Sequence, residues 1–259
     1  MSQAAHDDGH IPGAVLWNVY RDLKDASYQL LGPAEFERLV TRSGIAPGST
    51  VVFYGYAPAI GFWLMKRYGH SDVRILDSAR GAWHDDGRVW TAAAAPAPAT
   101  SYRLPAPDER IRADRAAVVA AIGDPARTIV DVRTGTEFRG ERFWPSGAPE
   151  PTGRAGHVPS AINVPIDGLL DEHGAYRSAE DLRRVFAPLD LAGGGEIITY
   201  CTIGARACTA WFALAHLLGR AHVRVYDGSW ADWGHAQSTP VAGGANAPDL
   251  GDRLSADHL

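Results

Sequence analysis

The chain has 259 residues, of which 46% are hydrophobic and 21% are charged, and its formal net charge at pH 7 is −5. These values are typical of a globular protein with one large domain or two domains of ordinary size. The negative charge and the lack of an apolar run of transmembrane length or a basic-then-apolar leader argue against nucleic acid and membranes as partners.

The first half of the chain alternates predicted helices and strands. The motif Gly-His-Ile-Pro-Gly-Ala occupies positions 9–14. Hydrophobic periodicity then predicts a helix at 33–43, a strand at 50–54, a helix at 60–68 and a strand at 73–77. Strands that alternate with helices indicate an α/β fold with mostly parallel strands.

The second half repeats this plan. A related motif, Gly-His-Val-Pro-Ser-Ala, occupies 156–161. It is followed by a predicted helix at 178–189, a strand at 196–200, a helix at 205–218 and a strand at 223–227. The repeat predicts two similar units, each with a parallel sheet covered by helices on both faces.

Composition separates the two units. The segment 92–110 begins with an Ala- and Pro-rich stretch and is predicted to be an interdomain linker. We therefore expect a first domain at 1–91 and a second domain at 111–235. The Gly-, Ala- and Asp-containing segment 236–259 is expected to be a loose tail.

The segment 197–207 is the most informative part of the chain, because it places Cys201 in a tight loop between a strand and a helix N-terminus. Free backbone N–H groups and the helix dipole favour an anion at such a position, and a thiolate is such an anion. Gly204 permits the torsions that turn successive amides toward one centre. The alternative is that Cys201 is a small buried core residue.

The second cysteine, Cys208, follows Cys201 by seven residues on the same predicted loop and helix. Two helical turns separate the two residues by about 10 Å, which is too far for a disulfide. Without a disulfide, a reducing cytoplasm is the expected location. No group of cysteines and histidines has the spacing of zinc ligands, and we expect neither a metal nor another cofactor.

The segment Cys-Thr-Ile-Gly-Ala-Arg at 201–206 resembles the active loop of the rhodanese family. Further matches are the two Gly-His motifs, Asp-Val-Arg at 131–133, Phe-Arg-Gly at 138–140 and Tyr-Asp-Gly-Ser-Trp at 226–230. In this order the chain is similar to the tandem-domain sulfurtransferases that act on thiosulfate or 3-mercaptopyruvate. The resemblance implies two rhodanese-like, doubly wound parallel-sheet domains, with catalysis in the second.

The first half departs from the family pattern in two ways. Gly55 stands at the position of Cys201, so the first domain is expected to be inactive. Only eight residues precede Gly9, whereas the second copy has a predicted strand at 128–132 well before its Gly-His motif. The first domain is therefore expected to lack its N-terminal strand, and we favour a natural start upstream of Met1.

The resemblance also implies a reaction. The Cys201 thiolate takes the outer sulfur of a small anionic compound, thiosulfate or 3-mercaptopyruvate, and passes it from a persulfide to cyanide or a thiol. The persulfide cradle is expected to consist of the loop residues Thr202, Ile203, Gly204, Ala205 and Arg206.

Arginines are the expected ligands of the anionic sulfur donor. By resemblance Arg139 holds it, although Arg139 could instead be a surface residue paired with Glu137 or Glu141. Arg206 either supplies positive charge to the donor or ties the loop to Asp131. The other candidates are Arg142 and Arg154, on the long connection after Gly140, and Asp131, which either orients Arg206 or Arg139 or has a structural role.

Three alternatives to a simple sulfurtransferase remain. A phosphatase or arsenate reductase is disfavoured, because Cys201 and Arg206 form Cys-x4-Arg, one residue shorter than the Cys-x5-Arg of cysteine-dependent phosphatases. A non-catalytic binding or regulatory module would not load sulfur on Cys201. A rhodanese-fold enzyme with a specialised biosynthetic acceptor would turn over cyanide poorly. Thr202 and Ile203 match neither familiar donor class, so the donor stays open.

Overall fold

The computed structural model describes residues 2–95, 100–189, 191 and 193–243. The chain divides into two compact units. One unit contains Met1–Asp108 and Glu172–Ala175, and the other contains Glu109–Asp171 and Tyr176–Leu259.

The first unit has a small parallel sheet surrounded by helices. Its helices are Gln3–Asp8 (α1), Val19–Asp22 (α2), Pro33–Arg42 (α3), Ala59–Arg67 (α4) and Arg80–Asp85 (α5). Its two strands, Val51–Phe53 (β1) and Val73–Ile75 (β2), pair in parallel.

Two helices supply most of the core of this unit. In α3 the buried side chains of Phe36, Leu39 and Val40 share one face, because they are spaced three and four residues apart. Nearly every residue of α4 is buried, and its Trp63 is fully enclosed. A helix that is apolar on all sides is stable only inside the core, which fixes α4 against the sheet.

The second unit has a five-stranded parallel sheet with the order β3-β7-β6-β4-β5. The strands are Arg112–Ala113 (β3), Arg127–Asp131 (β4), Ile162–Asn163 (β5), Glu196–Tyr200 (β6) and Val223–Tyr226 (β7). The helices are Arg115–Ala121 (α6), Gly135–Phe138 (α7), Ala179–Val185 (α8), Ala205–Phe212 (α9) and Ser229–His235 (α10). A π-helical turn, Ala213–Leu217, continues α9.

The central strands β4 and β6 bring two loops to one edge of this sheet. They pair along their whole length, and Asp131 lies opposite Tyr200 at their carboxyl ends. Buried apolar side chains on these strands, including Ile129 and Ile198, pack in a core with Trp230 and Trp233 of α10. The chain segments that follow Asp131 and Tyr200 therefore begin side by side, where open α/β sheets bind ligands.

The predicted linker and tail are held more closely than their composition indicates. In the described part of the linker, Tyr102 is buried and its hydroxyl lies 2.7 Å from His70 Nδ1. In the predicted tail, Ala242 forms a β-bridge with His157, and the Arg154 guanidinium binds the carbonyl and hydroxyl of Thr239. The expectation of a loose tail is thus wrong for 236–243, because these contacts offset the cost of ordering that segment. Positions 244–259 lie outside the described residues.

Within the described residues of the first unit, β1 has β2 as its one strand partner, so no counterpart of β4 lies beside it. None of the helices in the described ranges is both long enough and apolar enough to cross a lipid bilayer.

Candidate active site

Cys201 lies directly after β6 and is held by main-chain contacts. Its N–H donates to Ser229 Oγ at 3.0 Å, and the Ser229 hydroxyl donates to the Tyr226 carbonyl at 2.8 Å. The Trp230 N–H donates to the Cys201 carbonyl at 2.9 Å. The residue is 0% exposed. These contacts fix the thiol at the start of the loop and hold it beneath the surface.

Gly204 turns its N–H toward the thiol. This N–H donates to Cys201 Sγ at 3.1 Å. Gly204 has φ of 90°, in the left-handed region, and a Cβ there would lie 2.7 Å from the Asp227 carbonyl oxygen. Only glycine fits both the torsion and the space. Gly204 is also the N-cap of α9, so the positive end of the helix dipole lies near the sulfur.

A buried ion pair anchors the other side of the loop. Glu137 of α7 is fully buried and accepts hydrogen bonds from Arg206 Nη1 at 3.0 Å and Nη2 at 2.8 Å. The Thr202 hydroxyl donates to Glu137 Oε1 at 2.7 Å, and Arg206 Nη2 donates to Thr202 Oγ1 at 2.6 Å. The Glu137 side chain thus joins both ends of the loop 202–206 to α7.

Both partners of this pair are charged. Burial opposes ionisation of Glu137, but the hydrogen bonds and charge of Arg206, the Thr202 hydroxyl and the charge of Arg133 outweigh it and lower the pKa of the carboxyl. Burial likewise opposes the charge on Arg206, but hydrogen bonds to Glu137 and the negative charges of Glu137 and Asp131 raise its pKa. The guanidinium therefore places a permanent positive charge next to the Cys201 loop.

A second buried network lies at the ends of β4 and β6. Arg133 Nη2 donates to Asp131 Oδ2 at 2.6 Å, and both side chains are fully buried. The Tyr200 hydroxyl donates to the same carboxylate oxygen at 2.5 Å. Burial and the charge of Asp131 raise the pKa of Tyr200 well above its ordinary value, so the hydroxyl remains a hydrogen-bond donor. The Arg133 guanidinium also lies over the Trp230 ring, 4.5 Å from its centroid.

The structure corrects one expectation, which concerns the partner of Arg206. Arg206 binds Glu137, and the hydrogen bonds of Asp131 go to Arg133 and Tyr200, so the predicted alternative of an Arg206–Asp131 tie is wrong. The reason is that Asp131 is already neutralised by the arginine two residues further along the chain.

The three remaining arginines differ in their contacts. Arg139 caps the end of α7 and its Nε donates to Glu141 Oε1 at 2.7 Å, with about a quarter of its side chain exposed. Arg142 Nη1 donates to the Pro145 carbonyl at 3.1 Å. The Arg154 guanidinium donates to the carbonyls of Trp233 and Thr239 and to the Thr239 hydroxyl, and its role as a sulfur-donor ligand stays a prediction.

Sequence reasoning missed Glu137 and Ser229. A local signal for Glu137 exists, because Thr134 and Glu137 form a capping box, the Thr-x-x-Glu pattern of a helix start. That pattern predicts the start of α7 but not the pairing with Arg206, which is 69 residues away in the chain.

The first unit has a backbone contact like that of the Cys201 site but no cysteine at the equivalent position. Gly55 lies two residues after the end of β1, at the position equivalent to Cys201. It has a left-handed φ of 93°, whereas the left-handed glycine of the Cys201 loop is Gly204. The Tyr54 hydroxyl accepts the Ile11 N–H at 3.1 Å, just as the Tyr200 hydroxyl accepts the Val158 N–H at 3.1 Å. A glycine offers no nucleophile, so the position equivalent to Cys201 cannot carry sulfur.

Comparisons with known proteins agree with this geometry. The family profile described as "Rhodanese-like domain" matches residues 114–236. A protein named "Putative thiosulfate sulfurtransferase" from Saccharopolyspora erythraea is 40% identical over 243 residues, which cover 92% of this chain and 86% of that protein. The chain belongs to the rhodanese sulfurtransferase family.

Two further relatives extend the comparison. "Sulfur carrier protein TtuD" from Thermus thermophilus is 38% identical over 248 residues, covering 92% of this chain and 87% of that protein. The crystal structure of an anaerobic ergothioneine biosynthesis enzyme from Chlorobium limicola superposes with a TM-score of 0.84 at 24% identity. The superposition covers 95% of this rhodanese chain but 63% of that enzyme, and the likeness is one of fold.

The Glu137–Arg206 pair predicts a specific loss of stability. Glu137→Gln keeps the shape of the side chain but leaves the Arg206 charge buried without a counter-charge, and we expect the free energy of unfolding at pH 7 to fall by roughly 3 kcal/mol. The matched control Glu141→Gln removes an exposed carboxylate and should change it by less than about 0.5 kcal/mol. Urea unfolding of both variants measures the difference.

The same pair predicts a pH dependence. The pKa of Glu137 is lowered in the folded state from the ordinary glutamate value of 4.5. Its ionised form therefore contributes fully to the free energy of unfolding above pH 4.5, and this contribution is lost as the pH falls through the folded-state pKa. The stability gap between wild type and Glu137→Gln should therefore narrow in acid. If Glu137→Gln and Glu141→Gln lowered the free energy of unfolding equally at pH 7, the role of Glu137 in anchoring the loop would be contradicted.

Proposed function

We propose that this protein moves sulfane sulfur from a small anionic sulfur donor to a thiophilic acceptor through a persulfide on Cys201. The observation that carries the proposal is the thiol itself, which accepts the Gly204 N–H at the N-terminus of α9. A thiolate and the outer sulfur of a persulfide are both anionic, and a fixed N–H stabilises such an anion without reorganisation. The names of the bacterial relatives, a thiosulfate sulfurtransferase and a sulfur carrier, support sulfur transfer.

The first step is a displacement at sulfur. The Cys201 thiolate attacks the outer sulfur of thiosulfate, a new S–S bond forms, and the S–S bond of the sulfur donor breaks so that sulfite leaves with the electron pair. With 3-mercaptopyruvate a C–S bond breaks instead, and the departing carbon takes a proton to give pyruvate. Because Cys201 is 0% exposed, neighbouring side chains must move before the sulfur donor makes contact.

The second step regenerates the thiolate. Cyanide or an acceptor thiolate attacks the outer sulfur of the persulfide, and the S–S bond to Cys201 breaks. The electron pair returns to the Cys201 sulfur, where the Gly204 N–H and the nearby positive charge of Arg206 favour the anion. We propose that the amides of Thr202, Ile203 and Ala205 complete this cradle once the persulfide has formed.

The position of Arg206 argues against a phosphatase. A phosphatase arginine must present its guanidinium to phosphate, but the Arg206 guanidinium forms a two-point ion pair with Glu137. We propose that Arg139 binds the anionic end of the sulfur donor instead, because its partner Glu141 is half exposed and can exchange for a ligand. Asp131 acts indirectly in this proposal, by holding Arg133 and Tyr200 under the site.

The first domain is catalytically inactive in this proposal, because Gly55 replaces the nucleophile. The expected partners are small molecules, namely a sulfur donor and an acceptor that is cyanide or a thiol. The predicted catalytic domain is 111–235.

Sulfur loading tests the proposal directly. After incubation with thiosulfate or 3-mercaptopyruvate, intact mass spectrometry should find one added sulfur atom on the wild type and none on Cys201→Ser. The control Cys208→Ser removes the other buried thiol and should load like the wild type. Absence of added sulfur on the wild type with both compounds would refute the proposed function.

The anion-binding role of Arg139 has its own test. Arg139→Ala should raise the KM for the sulfur donor by about tenfold, since a lost contact with a charged ligand costs roughly 1.4 kcal/mol or more. Its melting temperature should stay close to that of the wild type. Arg183→Ala removes an exposed arginine of α8 and is the matched control for the change in net charge. An unchanged KM for Arg139→Ala would show that another group binds the anion.

A further inference from the structure

The pairing of β6 with β7 is interrupted at Cys201. The Ile197 N–H donates to the His222 carbonyl, and the two strands keep this register as they continue. Because a parallel ladder advances by equal steps along both strands, the Cys201 N–H would next meet the Tyr226 carbonyl. It donates instead to a side chain, Ser229 Oγ, at 3.0 Å.

The Ser229 hydroxyl fills the gap between the two strands. It accepts the Cys201 N–H at 3.0 Å and donates to the Tyr226 carbonyl at 2.8 Å, so it joins the two groups that a continued ladder would pair directly. The other side of the same peptide is also fixed, because the Tyr200 carbonyl accepts the Val132 N–H at 3.0 Å. The peptide before Cys201 is therefore held from both sides, with a hydroxyl as the spacer on the side of β7.

Ser229 has a backbone conformation that serine avoids. Its φ is 52°, in the left-handed region, and the residue is 0% exposed. Such a torsion is unfavourable for residues other than glycine, and it persists only where the surrounding structure imposes it. Glycine would remove this torsional cost but would also remove the hydroxyl. The position thus keeps a hydroxyl between the strands in spite of the cost.

The next two residues of α10 hold the loop by its carbonyls. The Trp230 N–H donates to the Cys201 carbonyl at 2.9 Å, and the Ala231 N–H donates to the Thr202 carbonyl at 2.8 Å. The C=O and N–H of a trans peptide point in opposite directions, so the N–H groups of Thr202 and Ile203 point away from α10. Neither N–H has an acceptor in the part of the chain that the structure describes.

We propose that Ser229 is a positioning residue for sulfur loading, whose hydroxyl keeps the N–H groups of Thr202 and Ile203 turned toward the incoming sulfur. The inference rests on the proposed persulfide chemistry and adds the side chain that sets the geometry of the cradle. Without the hydroxyl, the Cys201 N–H either loses its acceptor or moves onto the Tyr226 carbonyl. Either change shifts the start of the loop, and fixed N–H groups stabilise an anion only where they are aimed.

Two substitutions separate the hydroxyl from the torsion. Ser229→Ala and Ser229→Gly both lack the hydroxyl, but glycine adopts a left-handed φ without strain and alanine does not. Intact mass spectrometry over time should show that the rate of sulfur loading from thiosulfate falls by about tenfold or more in both variants. Ser229→Gly keeps the test decisive if Ser229→Ala does not fold. Loading of Ser229→Gly at the wild-type rate would show that the hydroxyl does not position the loop.

Ser160→Ala is the matched control. Ser160 is also a serine with a left-handed φ, 65°, and its Oγ accepts the Gly123 N–H at 3.1 Å. The substitution removes the same kind of hydrogen bond at an exposed position in a different loop, so the loading rate should be unchanged. Equal slowing of Ser160→Ala and Ser229→Ala would contradict a specific role for Ser229.

The time course of loading distinguishes positioning from a general loss of structure. At saturating thiosulfate, positioning by Ser229 predicts a smaller rate constant with the same final extent, one sulfur atom per chain. Partial unfolding would instead lower the final extent and leave the rate constant of the folded molecules unchanged. The KM for thiosulfate should stay within about twofold of the wild-type value, because the proposed function assigns binding of the sulfur donor to Arg139.

Failure of this inference is distinguishable from failure of the proposed function. If the wild type loads sulfur and both Ser229 variants load it at the same rate, the positioning role is overturned and the persulfide chemistry stands. If the wild type loads no sulfur, the persulfide chemistry is overturned and the positioning role falls with it.

Discussion

The buried ion pair between Glu137 and Arg206 is the contact on which the Cys201 loop depends. Removing two charges from water is costly, and such a pair is stable only when its geometry is good and its other hydrogen bonds are satisfied. Here the contact has two points, and the Thr202 hydroxyl bonds to both partners. The pair connects α7, which follows β4, to the start of α9, which follows β6. Two neighbouring strands thus position one loop.

In the proposed reaction the loop acts through its backbone. Gly204 adopts a torsion that other residues avoid, and in that torsion its N–H reaches the Cys201 sulfur. Arg206 adds a positive charge that Glu137 holds near the loop but away from its centre. The first unit retains the tyrosine hydroxyl contact but has no sulfur at the equivalent position. Its left-handed glycine, Gly55, lies at the position of Cys201 and not at that of Gly204.

Much of the fold could be predicted because its signals are local. The strand 196–200 and the helix starting at 205 follow from short-range apolar patterns, and the structure has β6 at Glu196–Tyr200 and α9 from Ala205. The Cys201 loop could be predicted for the same reason. The Glu137–Arg206 pair and the Arg154 contacts could not, because each joins residues far apart in sequence. The tail at 236–243 has a composition typical of loose segments, and tertiary contacts, the bridge to His157 and the Arg154–Thr239 hydrogen bonds, order it.

The central claim is that the backbone of this loop holds an anionic sulfur at Cys201. Substitution of the loop glycine, Gly204, tests this claim most directly. In Gly204→Ala the new Cβ would meet the Asp227 carbonyl, whereas in Gly219→Ala, which also has a positive φ of 70°, it would meet open space. Both variants place an alanine at a positive φ, so the comparison between them isolates the effect of the contact between the loop and Asp227. The account predicts that the rate of sulfur loading from thiosulfate falls at least about tenfold for folded Gly204→Ala and changes little for Gly219→Ala. Loading of Gly204→Ala at the wild-type rate would contradict it.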